Sequence, residues 1–133
     1  MGYYSDVGLV LNREAAVYVE AAAKEDAELH HLLQEETDEQ RCDEETGARL
    51  FYWESTKWYE SGDDAAVASL IALLDVLDDD DLPEHPKGAQ YRFIRIGEEA
   101  TDVEERGDFT RNPFDFGWSR KIDFSGDRCK DKS

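Results

Sequence analysis

Val67, Leu70, Ile71, Leu74 and Leu77 recur at i, i+3, i+4, i+7 and i+10 with no glycine or proline between them. That spacing lays an apolar stripe along one face of a helix, and such a helix must bury the face against another element. Strand-like segments supply the other element. Residues 5–11 (SDVGLVL) are apolar-rich and stop at Asn12, a helix N-cap followed by Glu14 in the first turn. From Arg13 to about Glu36 there is neither glycine nor proline. Ala16, Val19, Ala23 and Ala27 recur there at helical spacing, with Leu29, Leu32 and Leu33 closing the stripe. One continuous helix, packed closely on a sheet through small side chains, is predicted.

Residues 48–59 (ARLFYWESTKWY), opened by Gly47, carry the β-branched and aromatic content of a half-buried strand. Ser61 to Asp64 has the spacing of a capping box, with Asp in place of Glu, and starts the helix of the Val67 stripe. Pro83 and Pro86 keep the following segment irregular. QYRFIRI (90–96) reads as a third strand ending at Gly97, and a turn over Gly97 to Ala100 leads to an antiparallel partner around Asp102 to Arg106. The order β-α-β-α-β-β predicts an α+β two-layer sandwich, with two helices packed on one face of a mixed or antiparallel sheet.

Beyond Gly107, Phe114, Phe116, Trp118, Ile122 and Phe124 fall on alternate positions, interrupted by Arg120. Period two indicates an extended aromatic arm, starting at about residue 108, that packs on the core or joins copies of the chain into a homo-oligomer. A single domain over residues 1–124 and a disordered tail at 125–133 (SGDRCKDKS) complete the outline.

Against this core stands the charge. Thirty-three acidic and 15 basic side chains leave a net −18, while 40% apolar and 11% aromatic residues argue against wholesale disorder. The charge is polarised: residues 111–133 hold six basic and four acidic groups (+2), which leaves 29 acidic and nine basic (−20) before them. A polyanion is repelled by nucleic acid and by anionic lipid, so neither is expected as a direct partner; a basic protein is.

No stretch reaches the ~18 apolar residues of a membrane helix. The segment MGYYSDVGLVL has neither a basic n-region nor a cleavage site, and Asp6 stands where myristoylation requires Ser or Thr. Cys42 and Cys129 lie in polar segments and read as two reduced thiols in a cytoplasm.

Tests for chemistry return little. There is no G-x-S-x-G elbow, no phosphate-cradling glycine loop, no C-x-x-C and no H-E-x-x-H. His30 and His31 point about 100° apart on a helix and do not share one ion. Calcium loops starting at Asp78 or Asp102 fail at their twelfth positions, Ala89 and Pro113. No catalytic residue, cofactor or metal is assigned, and a non-enzymatic protein is expected.

The acid itself is the candidate site. Glu35, Glu36, Asp38, Glu39, Asp43, Glu44 and Glu45 form one run, and Asp78, Asp79, Asp80 and Asp81 form another at a helix C-terminus, where the dipole disfavours them. If the two helices run parallel, the runs meet as one electronegative patch. Carboxylates in helical rows lie ~5–6 Å apart, comparable to phosphates along a strand, so the patch would imitate nucleic acid. The other readings are an assembly protein that uses the arm, and a salt-adapted protein whose acid is a solubility coat.

MGYYSDVGLVL, FYWESTKWYES, YRFIRIGEE and DVEERG together resemble a group of small acidic proteins encoded by bacteriophages and prophages, over Met1 to Leu11, Phe51 to Ser61 and Tyr91 to Gly107. The resemblance implies a single α+β domain without an assigned active site. It also implies a role in evading host defence, by blocking a nuclease, a restriction enzyme or, in the manner of an anti-CRISPR inhibitor, a CRISPR complex. The run from Glu35 to Glu45 and the aromatic arm lie outside the resembling segments.

Overall fold

The computed structural model describes residues 3–58, 65–99, 101–118 and 121–129. In chain order these form β1 (Ser5–Leu11), α1 (Arg13–Lys24), α2 (Ala27–Gln34), β2 (Glu39–Cys42), β3 (Arg49–Thr56), α3 (Ala65–Leu77), β4 (Tyr91–Gly97) and β5 (Val103–Arg106). The two-residue strands β6 (Gly117–Trp118) and β7 (Ile122–Asp123) follow. The helix start expected at Ser61 to Asp64 lies outside the described residues.

β1 is apolar on both faces, and it sits where such a strand must, in the middle. It pairs with β3 on one side (Leu9 opposite Phe51) and with β4 on the other (Leu9 opposite Phe93). The result is a five-stranded sheet of order β2-β3-β1-β4-β5 in which every pairing is antiparallel.

Alternation along the strands builds two cores. Val7, Leu9, Leu11, Phe51, Trp53, Tyr91 and Phe93 join the helical residues Val19, Leu29, Leu33, Leu70 and Leu74 on one face. Trp53 is fully buried there, and its Nε1–H donates to the Leu32 carbonyl at 3.0 Å. On the opposite face Val10, Leu50 and Ile94 are covered by Phe114, Phe116 and Ile122. The α+β sandwich with helices on one face therefore stands as read.

Three features differ from the expectation. The helix from Arg13 is two helices, because Asp26 adopts an extended backbone (φ −139°, ψ 100°) and its Oδ1 accepts from Leu29 N–H at 3.1 Å, capping α2. Those donors also hold its carboxyl below the usual range, Leu29 N–H first and Ser69 second. Secondly, residues 39–42, inside the carboxylate run from Glu35 to Glu45, are the edge strand β2. A backbone ladder needs no apolar side chain, and an edge strand has one side free for polar ones.

Thirdly, the aromatic arm adds a partial third layer. Phe116 lies over Gly8, where a β-carbon would come within 2.5 Å of its ring, so the glycine in β1 makes room for the arm. Phe114, Phe116 and Ile122 are spent on the chain's own sheet, Phe124 packs on Tyr52 (centroids 5.1 Å apart), and Trp118 alone of the five is classed as exposed.

Phe114→Ala should accordingly cost about 3–5 kcal/mol of folding stability in urea denaturation, the loss of a buried aromatic ring. A loss below about 1 kcal/mol, the scale of a surface change, would contradict the arm's place in the core.

Candidate functional site: the carboxylate surface and its pinned edge

The arginines come first, because they decide which carboxylates remain free to act. Strand side chains on the sheet place Arg41, Arg49, Arg92, Arg95 and Arg106 beside acids while keeping each side chain no more than 20% exposed. Arg41 bonds Glu39 and Arg49 bonds Glu20; Arg92 meets Glu105 at 2.6 Å. Arg95 holds Asp102 at 2.9 Å and Glu104 at 3.3 Å, and the Tyr3 hydroxyl donates to the same Asp102 at 2.6 Å. The Arg95 bond, then the Tyr3 bond, hold the Asp102 carboxyl down at about 2.

Arg106 bridges Asp75 (2.8 Å) and Asp78 (2.7 Å), and Asp78 also accepts from the Tyr91 hydroxyl at 2.6 Å. Burial and the bond to Asp78 push the Tyr91 hydroxyl far up. Burial works against the Arg106 charge, yet Asp78 and Asp75 hold its guanidinium above its ordinary value. The first carboxylate of the 78–81 run, expected to destabilise the helix end, is thus neutralised by a cation from β5.

The predicted residues separate into distinct places. Glu35 and Glu36 are exposed at the end of α2, with Glu36 Oε2 3.3 Å from His31 Nδ1. Asp38 is exposed and accepts from Glu54 N–H at 2.6 Å. Glu39 is half-buried, and its bond with Arg41 holds its carboxyl below the usual range. Asp43 closes the β2–β3 turn by accepting from the Thr46 hydroxyl at 2.5 Å, while Glu44 and Glu45 stand exposed at the tip. Asp79, Asp80 and Asp81 are exposed, with carboxylate oxygens within 4.8 Å of one another.

Register shows how far these places are from one patch. Cys42 lies opposite Arg49, Arg49 opposite Leu11, and Leu11 opposite Tyr91. Asp43, just past Cys42, and Asp78, bonded to Tyr91, therefore emerge at the same end of the sheet, but three strand spacings of about 4.8 Å apart. Glu35, Glu36 and Asp38 belong toward the other end of β2. The two runs do not merge, and neither forms a helical row: they occupy a helix end, an edge strand, a turn and a loop.

Sequence reasoning missed the groove at that edge. An open cavity of about 740 Å³ runs between α1, α2 and β2, lined among others by His30, Asp38, Glu39, Arg49, Arg128 and Cys129. Arg49 is held there by Glu20, by Gln40 Oε1 at 3.0 Å and by the Phe51 ring 5.1 Å from its guanidinium carbon.

Two cysteine expectations are also overturned. Cys42 and Cys129 are not separate thiols but a disulfide, since β2 sets Cys42 on the sheet edge and the returning chain brings the two Cα atoms to 4.8 Å. Residues 125–129, expected as part of a disordered tail, are placed: Ser125 N–H donates to the Phe114 carbonyl, and the chain then runs beside β2, where Cys42 N–H donates to the Asp127 carbonyl at 2.9 Å and Arg41 pairs with Arg128. Residues 130–133 lie outside the described residues. The expectation of a reducing cytoplasm, which leans on free thiols, loses that support, because disulfides persist in oxidising compartments. No helix among the described residues is long and apolar enough to cross a membrane.

Among the described residues, little besides the disulfide holds residues 126–129. Ser125 to Arg128 are exposed, and Arg128 reaches Glu39 only at 3.5 Å. A net hydrogen bond contributes about 1 kcal/mol, whereas fixing one residue's backbone costs ~1–2 kcal/mol. Without the covalent link the balance favours release.

The disulfide closes a separation of 87 residues. By the chain-entropy estimate its reduction should lower stability by about 4–5 kcal/mol, read as the difference between guanidinium unfolding curves with and without a dithiol. Asp102 supplies a pH prediction. Its depressed pKa contributes stability that is present above the unfolded carboxylate value of about 4 and is lost as pH falls. A carboxyl NMR titration should find its midpoint at about 2, and Tyr3→Phe should raise it.

No family model matches this chain, and no match was found among curated proteins or solved structures.

Proposed function

We propose that this chain is a non-catalytic binding protein whose carboxylate surface engages a basic, nucleic-acid-binding partner. The observation that carries the reading is the segregation of charge. The half-buried arginines are bonded to acids within the sheet, so the exposed Glu35, Glu36, Asp38, Glu45 and Asp79 to Asp81 face solvent without those cations to offset them. A surface of net −18 attracts a basic groove over a Debye length and releases bound counterions on contact. The Asp79–Asp81 oxygens, within 4.8 Å of one another, give the densest local charge of this set. The resemblance to small acidic phage proteins adds the biological form of the proposal: a host nuclease or CRISPR complex as the blocked partner.

A second reading is favoured by where the remaining acid lies. Glu25, Glu28, Glu84, Glu98, Glu99, Asp108, Asp115 and Asp123 are exposed over helices, turns and arm alike, as a solubility coat for concentrated salt would be. Thermal unfolding separates the two. A coat of this kind requires salt to fold, whereas a binding protein melts sharply in dilute buffer.

Immobilised protein should retain nucleic-acid-binding proteins from lysate at about 50 mM salt and release them at about 500 mM or with excess duplex DNA, the behaviour of phosphate-like contacts. Reversal of Asp79, Asp80 and Asp81 to lysine should cut retention at least tenfold without altering the melting transition. Retention of no nucleic-acid-binding protein at low salt would sink the proposal.

A further inference from the structure

We infer that the Cys42–Cys129 disulfide is a redox latch: closed, it holds residues 126–129 along the outer edge of β2, and opened by a dithiol it frees that edge, and one wall of the groove, for an extended basic segment of the partner. The last clause rests on the binding function proposed above; the latch does not.

The segment now on the edge is itself a small version of such a ligand. It is extended, it is read through its main chain by Cys42 N–H, and it sets Arg128 toward Glu39. Strand addition of this kind takes affinity from backbone hydrogen bonds and selectivity from alternate side chains. The acidic side chains at this edge are the exposed Asp38 just before the strand and Glu39, whose carboxylate is bonded by Arg41 and reached by Arg128 at 3.5 Å.

The fold gives the release a defined boundary. Up to Ser125 the chain is anchored elsewhere, by Phe124 on Tyr52 and on the Arg41 guanidinium and by Ser125 N–H on the Phe114 carbonyl at 2.6 Å. Gly126 follows with φ +105°, a left-handed bend in which a β-carbon would strike Phe114 at 2.6 Å. Past that bend no side chain of the described residues belongs to either core. Both cysteines are partly exposed, so a thiolate can reach them.

The exchange balances with the dithiol alone. One thiolate of the reductant attacks a protein sulfur and forms a mixed disulfide, and its second thiol displaces the protein from that intermediate. Two electrons and two protons pass to Cys42 and Cys129, which leave as thiols, while the reductant leaves as a disulfide.

The test compares full-length oxidised protein, dithiol-treated protein and the Cys42→Ser/Cys129→Ser variant at about 50 mM salt, where charge contacts are strong. Hydrogen exchange by NMR should show the residue-42 amide exchanging at least tenfold faster once the link is gone, with the Leu9 and Phe93 amides still protected. A fluorescent peptide of alternating arginine and threonine should bind the open forms at least tenfold more tightly than the oxidised one. An unchanged residue-42 amide overturns the latch. Loss of all protection at Leu9 and Phe93, beyond the uniform decrease set by the lower global stability, also overturns it, since the disulfide is then a clamp on the whole fold. Equal peptide binding in both states overturns the edge as a docking strand. If the amide opens and the peptide discriminates while no nucleic-acid-binding protein is retained from lysate, the proposed function falls and the latch stands.

Discussion

The fold depends on β1 being hydrogen-bonded on both edges and buried on both faces. Its odd-numbered apolar residues, Val7, Leu9 and Leu11, meet the helices, and Val10 meets the aromatic arm. Two cores therefore share one backbone, and a disturbance of β1 is felt in both. Gly8 shows how tightly the layers are fitted, since the Phe116 ring occupies the space a side chain would need. A glycine that would weaken most strands is here a seat for a ring.

What could be read from sequence was whatever the apolar period encodes. The α3 stripe, β1, β3 and the β4–β5 hairpin all follow from side chains that need burial, and the structure places them as expected. The parts that were missed are held by polar groups. Asp26 interrupts a helix through a side-chain cap at a site with no glycine or proline. β2 (EQRC) exists because β3 offers it a backbone edge, and nothing in its own composition announces a strand. The disulfide depends on β2, so missing the strand meant missing the bond. Most of the acids in the two runs are exposed, but their grouping was not legible. Whether two runs meet depends on strand order, which no local pattern records.

The structure also changes the meaning of the net charge. A formal −18 treats every charge alike, yet the arginines of β2 to β5 act as internal counterions, bonded to acids and withdrawn from solvent. Arginine suits this part, because its planar fork can serve two carboxylates at once and is more weakly hydrated than an ammonium group. Arg95 and Arg106 both do so. Charge inside the sheet and charge outside it are thus different materials: one is cohesion, the other is left for contact with whatever approaches.

The position of β1 has a consequence for the life of the chain before it is folded. During synthesis β1 is made before both of its neighbours, β3, beginning at Arg49, and β4, which ends at Gly97. Domains complete only when such distant pairings can close, and those pairings make folding slow. Val7, Leu9, Val10 and Leu11 must therefore wait, with an edge and both faces open, until β4 has been added. In that interval the carboxylates already made between Glu14 and Glu54 surround a sticky strand with mutual repulsion, so the same acidity that covers the folded surface first keeps the nascent chains apart.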